Sequence, residues 1–174
     1  MDFESQLAVE ISKRNTDFVT SAINGCEDKF KKIWKIMFTG KTLISHRASW
    51  VVSTCFDRWP YLVQPYLPHI IDYIPHAPHT GIKRSLLRIL AQSSIPELKM
   101  GKLLNICFEY LEIDMPVAVK VHAMQIIYNI SENEPDIKPE LITIIEDQLP
   151  RNSIGFQNRG TKLLKKLYKE TGLR

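Results

Sequence analysis

Cysteine is scarce in this chain, and the few that occur are scattered. Cys26, Cys55 and Cys107 lie far apart, odd in number and with no CxxC pair. That excludes a disulfide framework or a cysteine zinc ribbon and points to a reducing compartment, most simply the cytoplasm. Long apolar runs are also missing: none approaches the ~18 residues a membrane span requires. The opening Met1-Asp2-Phe3-Glu4 is acidic and lacks the basic-then-apolar layout of a signal peptide. The expectation is therefore a soluble intracellular protein. A strong charge of one sign is absent too. With 23 basic against 19 acidic residues the net charge is +4, milder than the basic footprint of a nucleic-acid binder. Finally, the chain has no sustained alternation of apolar and polar residues and no Asn-Gly or Asp-Gly hairpin signal, which argues against strands.

What is present is a repeat. The small residues Ala48, Ser85, Ala123 and Gly160 are separated by 37, 38 and 37 positions. Each is preceded by a basic residue or histidine: Arg47, Arg84, His122 and Arg159. Four positions after each stands an aliphatic residue, Val52, Ile89, Ile127 or Leu164, so both share one helical face. A small residue at a fixed place lets two helix backbones approach closely. A second, independent register precedes it. Phe30, Ile33 and Met37 align with Leu67, Ile70 and Ile74, then Leu104, Cys107 and Leu111, then Ile142, Ile145 and Leu149. Each triplet follows i, i+3, i+7, the apolar stripe of an amphipathic helix. Two stripes per period describe a helix hairpin repeated four times.

Punctuation agrees. Pro60, Pro96 and Pro135 fall between repeats, and Pro75 and Pro150 follow the first helices of theirs, as proline marks helix ends. Pro65 and Pro68 are tolerated if that helix begins near Gln64–Tyr66. Asp114-Met115-Pro116 and Ser153 supply the expected N-caps of the helices that follow them. The ends read as solenoid ends. One first-helix column runs Trp34, Ile71, Phe108, Glu146, and a second-helix column runs Trp50, Leu87, Gln125, Lys162. Loss of apolar character in the last repeat predicts a polar cap. Residues 2–24, with a Leu7/Ile11 stripe followed by Phe18, Ala22 and Ile23, predict one or two helices covering the first repeat and ending at Gly25.

The segment Asp114-Met115-Pro116-Val117-Ala118-Val119-Lys120-Val121-His122-Ala123 resembles the HEAT-repeat pattern of Asp, then Pro, then Val-Arg/Lys, then Ala three later. The other repeats carry Ile44-Ser45, Gly81-Ile82 and Phe156-Gln157 at the Val-Lys position, so the charged ladder typical of such families is largely missing. A period of 37 to 38 disfavours tetratricopeptide repeats. The resemblance implies an all-α fold: a right-handed alpha-alpha superhelix of about four HEAT-like hairpins. The expected organisation is a single helical-repeat domain over residues 1–174, with a cap at 1–25 and repeats near 27–60, 61–96, 97–135 and 136–171.

Candidate sites are few. Phe38-Thr39-Gly40-Lys41-Thr42 matches the end of a P-loop, but Lys35 stands where the leading glycine belongs; a turn between helices is the better reading. His69, His76 and His79 cluster near Pro75 and Pro78, with Asp72 the only nearby carboxylate. That does not complete a zinc set, and a polar inter-helix loop is expected. Trp50, Asp57, Arg58 and Trp59 share one helix. Their residue types and the fold are similar to helical-repeat DNA-alkylation-repair glycosylases, which use aromatic and acidic residues in a concave cleft. Against this, Trp50 falls in the apolar column and Trp59 precedes Pro60 as a packing anchor.

The basic column Arg47, Arg84, His122 and Arg159, widened by Arg58, Arg88 and Lys120, is the main surface feature. It stands about 100° from the small core position, at the margin of the buried face. The resemblance implies that second helices line a concave side, which would turn this column toward a ligand; the alternative is a solvated ladder paired with neighbouring carboxylates. Charge is uneven as well. Residues 132–148 hold Glu132, Glu134, Asp136, Glu140, Glu146 and Asp147 against Lys138, a net −5. Residues 151–174 hold Arg151, Arg159, Lys162, Lys165, Lys166, Lys169 and Arg174 against Glu170, a net +6. Mutual pairing of the two successive helices would absorb much of this, and a charged outer face on a capping helix is the expected reading. The function expected is a non-catalytic scaffold, without cofactor or metal, binding a protein or peptide, acidic if the basic column is used. The rival is a DNA-binding protein or base-excision glycosylase.

Overall fold

A computed structural model describes residues 1–173, and among them every regular element is helical. The chain forms two compact units, 1–93 and 94–174. The first contains α1 (Phe3–Val9), α2 (Lys13–Ile23), α3 (Glu27–Thr39), α4 (Thr42–Arg58), α5 (Pro60–Val63), α6 (Leu67–Tyr73) and α7 (Thr80–Leu90). The second contains α8 (Glu97–Glu112), α9 (Val117–Ser131), α10 (Lys138–Gln148) and α11 (Ile154–Thr171). Helices pack pairwise within each unit. In the first, α3 lies on α4, and α4 lies between α2 and α7; in the second, α9 packs on both α8 and α11, and α10 on α11.

The two periodic registers are the core. Ile33, Ile70, Cys107 and Ile145 are wholly buried, one per repeat, as are Val52, Ile89 and Ile127 on the second helices. In the outer columns Phe30, Leu67 and Ile142 are buried, whereas Leu104 and Leu149 are half-buried. The small positions are all buried. Gly160 shows why they are small: a Cβ there would stand 2.9 Å from both Ile145 Cγ2 and Leu149 Cδ1. The approach of α11 to α10 is set by that missing side chain.

Several local expectations need correction. Residues 2–24 form two helices, separated near Glu10–Ser12. Asp2 Oδ1 accepts from the Glu4 and Ser5 amides, and Ser12 Oγ from the Asn15 amide, at 3.0 Å. The break turns Ile11 outward, and Phe18 also faces solvent, so the buried residues there are Phe3, Leu7, Val19 and Ile23. The segment ends one residue early, with Asn24 in the left-handed region at φ 49°. Gly25 follows at φ 71°, where a Cβ would meet the Tyr61 hydroxyl at 2.8 Å.

The first helix of the second repeat begins at Pro60, earlier than Gln64–Tyr66, and is segmented into α5, a 3-10 turn (Gln64–Tyr66), α6 and a second 3-10 turn (Ile74–His76). Pro65 and Pro75 supply no amide and crowd the carbonyl four residues back, so the chain tightens at each. Ser153 stands at the N-cap of α11, and Pro116, the last residue of Asp114-Met115-Pro116, at that of α9, but neither cap makes a side-chain capping bond.

Candidate interaction surface on the second helices

The first turn of each second helix carries a polar side chain that caps the first helix of its own repeat. Ser45 Oγ donates to the Gly40 carbonyl at 2.9 Å. Lys83 Nζ donates to the carbonyls of Ile74 and Pro75 at 3.1 and 3.0 Å. Lys120, buried despite its charge, donates to Leu111 O at 2.8 Å and to Gln148 Oε1 at 3.2 Å. Gln157 Nε2 donates to Asn152 O at 2.9 Å. Helix C-termini leave carbonyls unsatisfied, and a cation or amide donor there answers both the hydrogen bond and the dipole. These residues stand at or beside the position where the HEAT pattern has Val-Arg/Lys. A varied polar set therefore occupies the place of a uniform charged ladder.

The structure distributes the basic column over both units, Arg47, Arg58, Arg84 and Arg88 in the first, His122 and Arg159 in the second. Arg47 is half-buried and donates from Nη1 to Leu7 O at 2.7 Å, closing the end of α1. Arg58 reaches Ser21 Oγ at 3.2 Å and Asp17 at 3.7 Å on α2. Arg88 reaches α4, donating to Ser53 Oγ at 2.9 Å and to both Asp57 oxygens at 3.0 Å. Arg159 donates to Gln125 Oε1 on α9 at 3.0 Å. Each of the four ties one helix to a neighbouring one. His122 is half-buried. Arg84 is exposed and forms no hydrogen bond or ion pair with a described residue.

The other candidates fall as follows. Thr39 ends α3, Gly40 follows it and Thr42 begins α4, so Phe38–Thr42 is the bend of a hairpin. His69 and His76 are exposed and separate from His79, whose ring stacks on His46 of α4 with centroids 4.3 Å apart. His79 Nδ1 accepts from the Gly81 amide at 3.0 Å and thereby caps α7. A Cβ on Gly81 would overlap His46 Nε2 at 2.1 Å. Burial pushes the His46 pKa below its ordinary value, aided by the neighbouring His79, Arg84 and Arg47. Among the described residues no three His, Cys, Asp or Glu side chains are grouped to hold a metal ion. Trp50 and Trp59 are half-buried, and the Asp57 carboxylate is engaged by Arg88. Burial also lifts the Cys55 thiol to about 12 and raises that of Cys107, so both act as small apolar core residues.

In the second unit the charge blocks pair unexpectedly. Arg151 bridges Asp147 one turn away. The main link joins the exceptions of each block: Lys138, the one cation of its segment, to Glu170, the one carboxylate of the other, at 2.9 Å. Glu170 also accepts from the Tyr128 hydroxyl at 2.7 Å. Burial, together with that bond, raises the Tyr128 phenol to about 12, and the same bond with Lys138 lowers Glu170. Lys162, Lys165, Lys166 and Lys169 stay on the exposed side of α11. Arg174 lies outside the described residues.

No described helix is long and apolar enough to cross a membrane. Comparison with curated proteins finds no match, and comparison with solved structures finds none either. A family model described as a HEAT repeat domain matches residues 3–167. That span runs from α1 through most of α11. The chain belongs to the HEAT repeat domain family.

Proposed function

We propose that this protein is a non-catalytic binding scaffold that recognises a protein or peptide through the surface formed by the second helices of its repeats. HEAT repeat domains typically serve as protein-binding scaffolds, and stacked hairpins offer extended surfaces without any chemistry. The reading takes residues 1–25 as a cap and 27–60, 61–96, 97–135 and 136–171 as repeats of one domain. The observation that carries it is the presence of exposed cations on second helices beyond those that tie helices together. Arg84 on α7 is one; the lysines of α11 are others. A base-excision reading has less support, because the carboxylate of the Trp50/Asp57 pair is held at both oxygens by Arg88.

Affinity capture from a native cell extract, run with and without nuclease, tests the reading. The expected result is a set of retained polypeptides that survives nuclease and is reduced by Arg84→Glu. Retention that vanishes with nuclease, and whose affinity falls steeply with salt as counterion release requires, would replace the protein-binding reading with a nucleic-acid one.

A further inference from the structure

The exposed face of α11 carries Lys162, Lys165 and Lys169 at i, i+3 and i+7. At 3.6 residues per turn they fall within an arc of roughly 60° and span about 10 Å of helix. All three are exposed, and none forms a hydrogen bond or ion pair with a described residue. Lys166 lies beside them, its Nζ 5.1 Å from the centre of the Tyr128 ring. The apolar face, Phe156, Leu163, Leu164 and Leu167, is buried, so the stripe plays no part in packing the helix down. It also works against folding. Like charges three and four residues apart weaken a helix, and Lys162 and Lys165 are too far from the C-terminus to gain from its dipole. Elsewhere in this unit cations are given partners: Lys120 has Leu111 O and Gln148, Lys138 has Glu170, and Arg151 has Asp147.

We infer that the α11 lysine stripe is a docking site for a short acidic polypeptide segment, its carboxylates meeting Lys162, Lys165 and Lys169. This rests on the protein-binding reading and names its site and partner class. Charge complementarity identifies the partner as anionic, and the surroundings select among anions. Helix α10, packed against α11, and the turn before it carry Glu134, Asp136, Glu140 and Asp147, all exposed. A long polyanion or a charged bilayer covering more of this unit than the stripe would be opposed by Glu134, Asp136 and Glu140, which form no ion pair with a described residue. A short segment confined to three turns of α11 would not. The stripe also interleaves no aromatic side chain on which a base could stack. An interfacial helix needs a continuous apolar face; the exposed apolar side chain of α11, Ile154, stands alone about two turns before Lys162.

The test is fluorescence anisotropy on the full chain with a labelled oligoglutamate peptide of about ten residues, spanning the stripe whether helical or extended. A single-stranded oligonucleotide of equal charge and phosphatidylserine vesicles are measured in parallel. The peptide is expected to bind the wild-type protein. Lys162→Gln/Lys165→Gln/Lys169→Gln should weaken binding roughly tenfold, as three exposed ion pairs lost together, and reversal to Glu should abolish it. Far-UV circular dichroism of both triple variants checks that α11 is still folded; the milder Gln set keeps the test valid if reversal disturbs the helix. No peptide binding by the wild type, or equal binding by the Gln variant, overturns the inference. Binding lost on Arg84→Glu but kept in the α11 variants overturns it while sparing the scaffold reading. Tighter binding of the oligonucleotide or the vesicles than of the peptide overturns both.

Discussion

In the first unit Arg47, Arg58 and Arg88 each reach from α4 or α7 to another helix and end on a carbonyl, a serine or an aspartate. In the second unit, ties between helices come from Lys120, Lys138, Arg159 and the Tyr128–Glu170 bond, and the lysines on the outer face of α11 have no such role. The same period of helix hairpins thus uses its cations in two ways. Where a second helix is followed by another, as α4 is by α7, its basic residues sit at the margin of a contact and find acceptors there. On α11, Lys162, Lys165 and Lys169 are exposed and find no acceptor among the described residues. The difference teaches that a basic residue's place in the repeat does not decide whether it binds or braces; the neighbour it can reach does.

The largest effects should be common to both units and would show that the contrast lies on the surface alone. Ile33→Ala in the first unit and Ile127→Ala in the second remove wholly buried side chains. Each should cost about 2–5 kcal/mol in urea unfolding. Gly160→Val should cost about 1–3 kcal/mol by forcing α11 from α10. A near-neutral Gly160→Val would mean that the two helices are not held at the close approach described.

A smaller effect sharpens the capping comparison. Lys120→Ala removes a buried donor to Leu111 O and leaves Gln148 without one partner, for an expected loss of about 1–3 kcal/mol. Lys83→Ala removes the corresponding contacts at a half-buried position, for about 1 kcal/mol. Equal losses, read by thermal or urea unfolding, would show that burial does not govern the strength of these caps.

Smaller still is a pH dependence confined to the first unit. The His46 pKa is lowered by burial and by His79, Arg84 and Arg47, so the unfolded chain takes up a proton at higher pH than the folded one. The His46 contribution is therefore complete above the ordinary imidazole value near 6.5 and declines as pH falls from there toward the lowered folded value. Urea midpoints measured from pH 7.5 to 5 should fall with pH in wild type and fall less in His46→Gln. A midpoint that rises on acidification would contradict the burial of His46 in its uncharged form.

The architecture was legible because it depends on burial repeated at a fixed period. Ile33, Ile70, Cys107 and Ile145 could be aligned by spacing alone, and all four are buried. Local breaks were less legible. The α1–α2 separation that exposes Ile11 and Phe18 depends on the Ser12 cap, and the start of the second repeat at Pro60 depends on a 3-10 turn linking α5 to α6. Both are set by local hydrogen bonding to the backbone, which a hydrophobic pattern does not report. At the candidate surface the sequence located every cation but not its partner. Arg88 and Arg84 differ by one helical turn, yet one grips Asp57 and the other faces solvent. The stacking of His79 on His46 crosses from α7 to α4, and the adjacency of Gly81 to that pair was its only trace in sequence. The α11 stripe was visible as net charge, but that it stays unpaired follows from Lys138 taking Glu170.

The claim that Arg47 and Arg88 brace while Lys162, Lys165 and Lys169 stay free is tested most directly by thermal unfolding of two variants at about 0.15 M salt, the physiological value. Arg47→Ala/Arg88→Ala removes two ties worth about 1 kcal/mol each, and the midpoint should drop by several degrees, at roughly 2–4 °C per kcal/mol for a chain of this size. Lys162→Ala/Lys165→Ala/Lys169→Ala should leave it unchanged within about 0.5 kcal/mol, or raise it slightly by relieving like-charge repulsion. A large drop in the lysine variant, or none in the arginine variant, would contradict the account.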